Sequence, residues 1–263
     1  MKVACLQLSS NKNYRANVSI AIKLIKEAIN KNCDLIITPE ATTIISSNPL
    51  DYDKYTFSMK SDPFIKKIKI IAKKYKKWIL IGSLFVKNRG KLRNRSVMIN
   101  PSGNISSYYD KINMFDVNLN GKEIHQESKL FERGKKLKTV NLPWGTLGLT
   151  ICYDLRFPEQ FRNLSRKKVN FITVPSAFTR ITGMRHWLIL LRARAVENFC
   201  YIFAPNQYGK NTEKRETYGN SVIISPDGKV LKIKKKGIGI ICCTINPEDS
   251  IRLRKVIPSM MSD

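Results

Sequence analysis

Residues Gly148–Arg162, GLTICYDLRFPEQFR, run an apolar segment into a cysteine and then into a charged, proline-marked turn. A strand that stops at Cys152 and gives way to Tyr153, Asp154 and Arg156, with the helical sequence PEQFRNLSRKK behind it, sets the thiol at the C-terminal edge of a sheet. In α/β sheets reacting groups gather at that edge, and a helix start there favours an anion. A thiol reacts as thiolate, so something must take its proton. Histidine is the usual partner, and the chain holds only His125 and His186, in unrelated contexts. Taken alone, Cys152 reads more readily as an inert core cysteine, the common fate of free cysteines.

Outward from this stretch, strands and helices alternate along all 263 residues. KVACLQLS is a strand, and residues 13–31 carry Val18, Ile22, Ile25 and Ile29 at helical spacing. DLIITPE is a short buried strand. DPFIKKIKIIAKKYKKW is a helix started by Asp62 and Pro63, with Phe64, Ile68, Ile71 and Tyr75 on its apolar face. WILIGSLFV, NFITVPSAF, FCYIFAPNQ and GIGIICCTIN are further strands, and GMRHWLILLRARAVEN is a long helix. Two echoes keep the same order: SVMINPSGNI (96–105) with SVIISPDGKV (221–230), both hairpins, and DLIITPEA (34–41) with NFITVPSA (170–177). They point to two similar halves. No low-complexity linker divides the chain, so residues 1–263 are expected to form one domain.

Composition narrows the function. A hydrophobic content of 43% suits a globular chain. No apolar run reaches the ~18 residues of a membrane helix, and MKVACLQLSS is unlike a signal peptide, so the cytoplasm is the expected compartment. Six scattered cysteines, none in a C-x-x-C pair, and two distant histidines argue against a structural metal site. Cys200, Cys242 and Cys243 read as strand-core residues. The formal net charge of +27 raises the possibility of nucleic-acid binding. The lysines, however, sit on the outer face of the 62–78 helix and at a hairpin end (Lys232 to Lys236), so no specific nucleic-acid partner is expected.

Other strand ends carry charged residues. Glu40 follows DLIITP, Lys111 follows the first hairpin in SSYYDKINMFDV, and Glu127 lies in HQESKLFERG. Each has a plain structural reading: a helix first-turn acid, one surface lysine among many, a solvated loop acid. Together, PEA around Glu40, YYDKINMFD around Lys111 and GLTICYDLRFPE around Cys152 resemble the three motifs of the nitrilase, or carbon–nitrogen hydrolase, superfamily. ESKLFERG before the nucleophile strand and RARAVEN after it extend the resemblance over nearly the whole chain.

The resemblance implies a four-layer α-β-β-α sandwich with two pseudo-symmetric halves, a catalytic Glu40–Lys111–Cys152 triad and no metal or organic cofactor. It makes the base a glutamate. A buried Glu40 is expected to have its pKa raised toward that of the thiol, so that the two exchange a proton. Lys111 and the backbone N–H of Tyr153 would hold an oxyanion, and Glu127 would support Lys111 and the substrate. A small-molecule amide is the implied substrate, a thioester the implied intermediate, and a homodimer the implied assembly. PSAFTRITGMRHWLILLRARAVENFCYIFAPNQYG and RETYGNSVIISPDGKV resemble the branch whose members hydrolyse deaminated glutathione to 2-oxoglutarate and cysteinylglycine. Omega-amidases and other small-molecule amidases are the alternative, and a basic binding protein on an inactive hydrolase scaffold is a second. A true nitrilase ranks below these. Arg180 or Arg185 is the candidate for a substrate carboxylate, with His186 also at a matching position. Asp154, Arg156 and Glu159 are expected to hold the nucleophile turn. Asn113, Asn220 and Asp227 depart from residues frequent in the family.

Overall fold

The computed structural model describes residues 1–88, 90–119 and 123–259. The first half runs β1 (Lys2–Gln7), α1 (Tyr14–Asn30), β2 (Leu35–Ile37), α2 (Pro49–Tyr55), α3 (Pro63–Tyr75), β3 (Trp78–Asn88), β4 (Lys91–Ile99) and β5 (Ile105–Asp110). A ribbon of β6 (Asp116–Leu119) and β7 (Glu123–Gln126) follows. The second half runs β8 (Lys138–Leu142), β9 (Gly145–Leu149), α4 (Pro158–Arg166), β10 (Phe171–Thr173), α5 (Arg180–Asn198) and β11 (Tyr201–Ala204). A second ribbon, β12 (Tyr208–Lys210) with β13 (Glu216–Tyr218), leads to the hairpin β14 (Ser221–Ile224) and β15 (Val230–Lys234). Then come β16 (Gly239–Thr244) and α6 (Glu248–Val256).

Two six-stranded sheets result, ordered β16-β1-β2-β3-β4-β5 and β8-β9-β10-β11-β14-β15. Each has an antiparallel edge, three parallel strands and a closing antiparallel pair. The halves are therefore related element by element. The echoing stretches fall on the middle parallel strands, β2 and β10, and on the hairpins β4–β5 and β14–β15.

Alternation of side chains along the strands builds the layers. Val3, Cys5, Leu35, Ile37, Leu80 and Met98 face the second sheet and share a core with its strands. Ala4, Leu6, Ile36, Ile79 and Ile81 point the other way, beneath α1 and α3. Phe161 and Leu164 of α4 and Trp187 and Leu191 of α5 belong to the core on the second-sheet side. This is the four-layer α-β-β-α sandwich.

The helices form where their caps and stripes allow. Asn13 accepts the Ala16 N–H at the start of α1, and Asp62 accepts the Ile65 N–H at 2.8 Å ahead of Pro63 in α3. Such caps contribute about 1 kcal/mol each. Phe64, Ile68 and Ile71 are buried as the periodicity requires, but Tyr75, the last residue of α3, is 37% exposed. Cys200 is buried, whereas Cys242 and Cys243 are only partly so: β16 is an edge strand.

One glycine marks a close approach of the two halves. β3 shifts register between Ile81 and Leu84, and a Cβ at Gly82 would lie 1.8 Å from the Thr38 carbonyl oxygen and 2.6 Å from Pro175 Cβ. The Gly82 N–H donates to Thr38 Oγ1 at 2.9 Å, so this backbone sets the loop that carries Glu40. Gly82→Ala is expected to destabilise the fold by at least ~1–3 kcal/mol, the range for overpacking a rigid site. Urea unfolding checks this; an unchanged midpoint would show that the contact yields freely.

Candidate active site

Cys152, Glu40 and Lys111 come from three strand ends and meet in one buried place. Glu40 follows β2, Lys111 follows β5 directly, and Cys152 follows β9 and opens a short 3₁₀ turn, Cys152–Arg156. Their exposures are 4%, 2% and 6%, so the cluster is shielded from bulk water. One of the three, Cys152, sits in the left-handed region at φ 48°, as does Ala41, just after Glu40, at φ 54°. A non-glycine residue there costs roughly 1–2 kcal/mol, and both positions lie just past a strand end, where the chain turns into the cluster.

The Lys111 ammonium is shared by two carboxylates, at 2.9 Å from Glu40 Oε1 and 2.7 Å from Glu127 Oε2. Asn94, buried on β4, reinforces this: its Nδ2 donates to Glu40 Oε1 at 2.9 Å and to Glu127 Oε1 at 3.0 Å. The Ala177 N–H donates to Glu40 Oε2 at 2.8 Å, and the Phe115 N–H to Glu127 Oε2 at 2.7 Å. The Cys152 thiol lies close enough to the Glu40 carboxylate for each to perturb the other electrostatically.

These contacts fix the resting charges. Burial pushes the Cys152 thiol well above the ordinary thiol range, and the Glu40 charge adds to it, against the opposing pull of Lys111. Burial would also raise Glu40, but the Lys111 and Arg215 charges and the Lys111 hydrogen bond outweigh it and hold the carboxyl below its usual value. The expectation of a raised Glu40 pKa is thus corrected: neighbouring cations overcome desolvation. Lys111 is raised, since Glu127 and Glu40 outweigh its burial. The site rests as thiol, carboxylate and ammonium.

Asp154 holds the turn that begins at Cys152. It accepts from the Ile151 N–H (2.8 Å), the Tyr109 hydroxyl (2.7 Å), and the N–H and Nδ2 of Asn113 (3.0 and 2.9 Å), tying the Cys152 turn to the end of β5 beside Lys111. Gln160 completes the link to Tyr109 and Asn113. Arg156 contacts His186 Nδ1 at 3.2 Å, and Glu159 is exposed.

A cavity of about 350 Å³ opens onto Cys152, Glu40, Lys111 and Glu127. Tyr52, Phe85 and Phe131 form an aromatic group at its wall, Phe115 and His125 come from the β6–β7 side, and Lys214 and Arg215 from the second ribbon. Tyr153 stacks its ring edgewise on Phe115 and Phe157. Arg180, Arg185 and His186 do not line the cavity, which corrects their expected place beside the substrate: they sit on the first turns of α5. Arg180 pairs with Glu216 at 3.0 Å on the surface, and Arg185 is exposed. Asn94 and Arg215 escaped the sequence reading. Asn94 sits in the polar run Arg93–Ser96 of β4, so nothing beside it in the sequence singled it out, and Arg215 carries no local sign that it points inward. Among the described residues no group of three or more His, Cys, Asp or Glu is placed to hold a metal ion.

A carbon-nitrogen hydrolase family model matches residues 2–255. The deaminated glutathione amidase of Yersinia enterocolitica is 37% identical over 235 residues, 87% of this chain and 81% of the relative. That of Synechocystis sp. (strain PCC 6803) is 34% identical over 263 residues, 98% of this chain and 96% of the relative. The crystal structure of the Caenorhabditis elegans NitFhit protein superimposes with a TM-score of 0.93 at 31% identity, over 100% of this chain and 64% of that longer one. Saccharomyces cerevisiae Nit3, a member of branch 10 of the nitrilase superfamily, gives 0.87 at 27% identity, over 98% of this chain and 94% of that one. The chain belongs to the carbon–nitrogen hydrolase family, within the nitrilase superfamily, and is a hydrolase of C–N bonds.

Replacing Lys111 reveals what the ammonium does for the fold. With it, Glu40 has a depressed folded pKa and contributes stability above the unfolded carboxyl value of ~4.3, lost as pH falls through the folded value. In Lys111→Met, burial dominates and the sign reverses, so that stability falls as pH rises. The variant is expected to lose about 3–5 kcal/mol near neutral pH and markedly less at pH 4–5. Urea midpoints at the two pH values test this, and an equal loss at both contradicts it.

Proposed function

We propose that the chain hydrolyses the amide of deaminated glutathione, releasing 2-oxoglutarate and cysteinylglycine, through a thioester on Cys152. The observation that carries the reading is the buried thiol, carboxylate and ammonium on one cavity wall, in a chain more than 30% identical to deaminated glutathione amidases along most of its length. A volume of about 350 Å³ suits a small molecule.

In this reading Cys152 Sγ attacks the amide carbon while its proton passes to Glu40, so the raised thiol pKa is met only as the S–C bond forms. Two of the three Lys111 N–H donors are taken by Glu40 and Glu127, and the third stays for the oxyanion, together with the backbone N–H of Tyr153. Glu40 returns the proton to the departing amine as the C–N bond breaks. Water then attacks the thioester, giving a proton to Glu40, and the thiolate leaves and is reprotonated. Glu127 keeps Lys111 oriented.

Assembly and compartment follow the same course. Ile181, Met184, Ile189 and Val196 are exposed along one face of α5, which supports pairing of two copies across that helix. Six free cysteines support a reducing, cytoplasmic setting. Among the described residues no helix is long and apolar enough to cross a membrane.

Cys152→Ala is expected to abolish turnover while keeping the circular dichroism and melting behaviour of the fold. Mass spectrometry of the enzyme quenched during turnover is expected to find the acyl group on Cys152; an adduct on another cysteine removes Cys152 from the mechanism. Deaminated glutathione is expected to be hydrolysed faster than 2-oxoglutaramate. The opposite order would assign the chain to the omega-amidase side of the family.

A further inference from the structure

Two thiols that the proposed hydrolysis does not use, Cys33 and Cys242, lie in contact on the face of the first sheet beneath α1. Their sulfurs are 3.3 Å apart although the residues are 209 positions apart in the chain, and the Cys33 thiol donates to Cys242 Sγ. Each sits on a fixed frame. Cys242 belongs to β16 and pairs opposite Ala4 of β1. Cys33 closes the end of α1: Asn32 turns left-handed at φ 57°, and the Cys33 N–H donates to the Ala28 carbonyl at 3.1 Å. The next residue ties this corner to β1, because the Asp34 carboxylate accepts the Lys2 N–H at 2.7 Å. Closing the sulfurs to the ~2.0 Å of a disulfide takes about 1.3 Å, within the reach of side-chain rotation.

The two sulfurs are unlike. Cys33 is fully buried, whereas Cys242, on an edge strand, is partly exposed. The hydrogen bond from Cys33, with the charges of Lys2 and Lys31, outweighs burial and Glu27 and holds Cys242 below the ordinary thiol range. The same hydrogen bond, together with burial, raises Cys33. Burial pushes Cys5, Cys152, Cys200 and Cys243 upward as well. Strand alternation turns Cys243 toward the second sheet, away from Cys33. A reagent from solvent therefore meets Cys242 first, with Cys33 directly behind it and Cys152 shielded.

We propose that Cys242 and Cys33 form a thiol–disulfide exchange site for small disulfides, separate from the active site, in which Cys242 attacks and Cys33 resolves. The Cys242 thiolate attacks one sulfur of a disulfide RSSR, the S–S bond breaks, and RS⁻ leaves and is protonated. In the mixed disulfide Cys242 carries no charge, so the hold on the Cys33 proton is released. Cys33 then loses that proton and attacks Cys242 Sγ, expelling the second RS⁻, which takes up a proton. Two thiols are oxidised to one disulfide, and RSSR is reduced to two RSH. The bridge ties the end of α1 to the edge strand β16. In a reducing setting the pair rests as the dithiol and bridges when the pool of small disulfides rises. Neither residue lines the cavity, so Cys152 stays a thiol throughout.

Peptide mapping by mass spectrometry of the full chain, treated with oxidised glutathione and then alkylated, tests this. A Cys33–Cys242 bridge is expected, formed at least about tenfold faster than any modification of Cys152. Cys33→Ala should stop at a glutathione mixed disulfide on Cys242, Cys242→Ala should leave Cys33 unmodified, and Cys243→Ser should bridge as the wild type does. The bridged wild type should melt about 5 °C or more above the reduced protein, a rise absent from both alanine variants. No reaction at Cys242, a mixed disulfide that persists in the wild type, a bridge from Cys242 to Cys243, or faster modification of Cys152 would overturn the proposal. So would an unchanged or lowered melting temperature of the bridged protein, which would mean that the native frame does not hold the bond.

Discussion

The Lys111 ammonium, 2% exposed and held between two carboxylates, is the interaction on which the rest of the structure depends. A buried charge is tolerated only when it is paired and hydrogen-bonded, and here each charge is useless without the others. Lys111 needs Glu40 and Glu127 to be charged at all at this depth. Glu40 needs Lys111 to remain ionised against its own burial. Asn94 bridges the two carboxylates and fixes their spacing. Three strand ends and a 3₁₀ turn are thereby committed to one point in space.

The two-sheet architecture makes that point available. Parallel strands in each half run out at the same rim, so the ends of β2 and β9 present their next residues to a common cavity. The chain then leaves regular geometry where it must: Ala41 and Cys152 take left-handed backbone, and Gly82 has no side chain so that Thr38 and Pro175 can approach. Local strain at these positions is supported by the satisfied network around Asp154, which accepts four hydrogen bonds and joins the Cys152 turn to the end of β5 beside Lys111. Stability and site geometry are the same set of contacts seen from two sides.

The charge state gives the site its temper. A thiol raised by burial stays protonated at rest, while the adjacent carboxylate stays ionised. Loss of the thiol proton at rest is opposed by both burial and the adjacent negative charge, and this state is set by the assembled cavity rather than by the cysteine itself.

Much of this was written locally in the chain. Helices α1 and α3 follow from apolar spacing and from Asn13 and Asp62 as caps, and strands such as β2 and β10 from short β-branched runs closed by proline. Those features depend on neighbours a few residues away, so a linear reading captures them. The motifs around Glu40, Lys111 and Cys152 were legible for the same reason. What the linear order could not determine was direction. Arg180, Arg185 and His186 belong to the first turns of a helix that presents them away from the cavity, whereas Arg215 and Asn94 are brought to it from the ribbon and from β4. The aromatic wall of Tyr52, Phe85 and Phe131 gathers residues from three separated segments. The sign of the Glu40 shift likewise came from Lys111 and Arg215, which are distant in sequence and close in space. Electrostatic energy and packing depend on separations in three dimensions, and those are decided only when the two sheets close on each other.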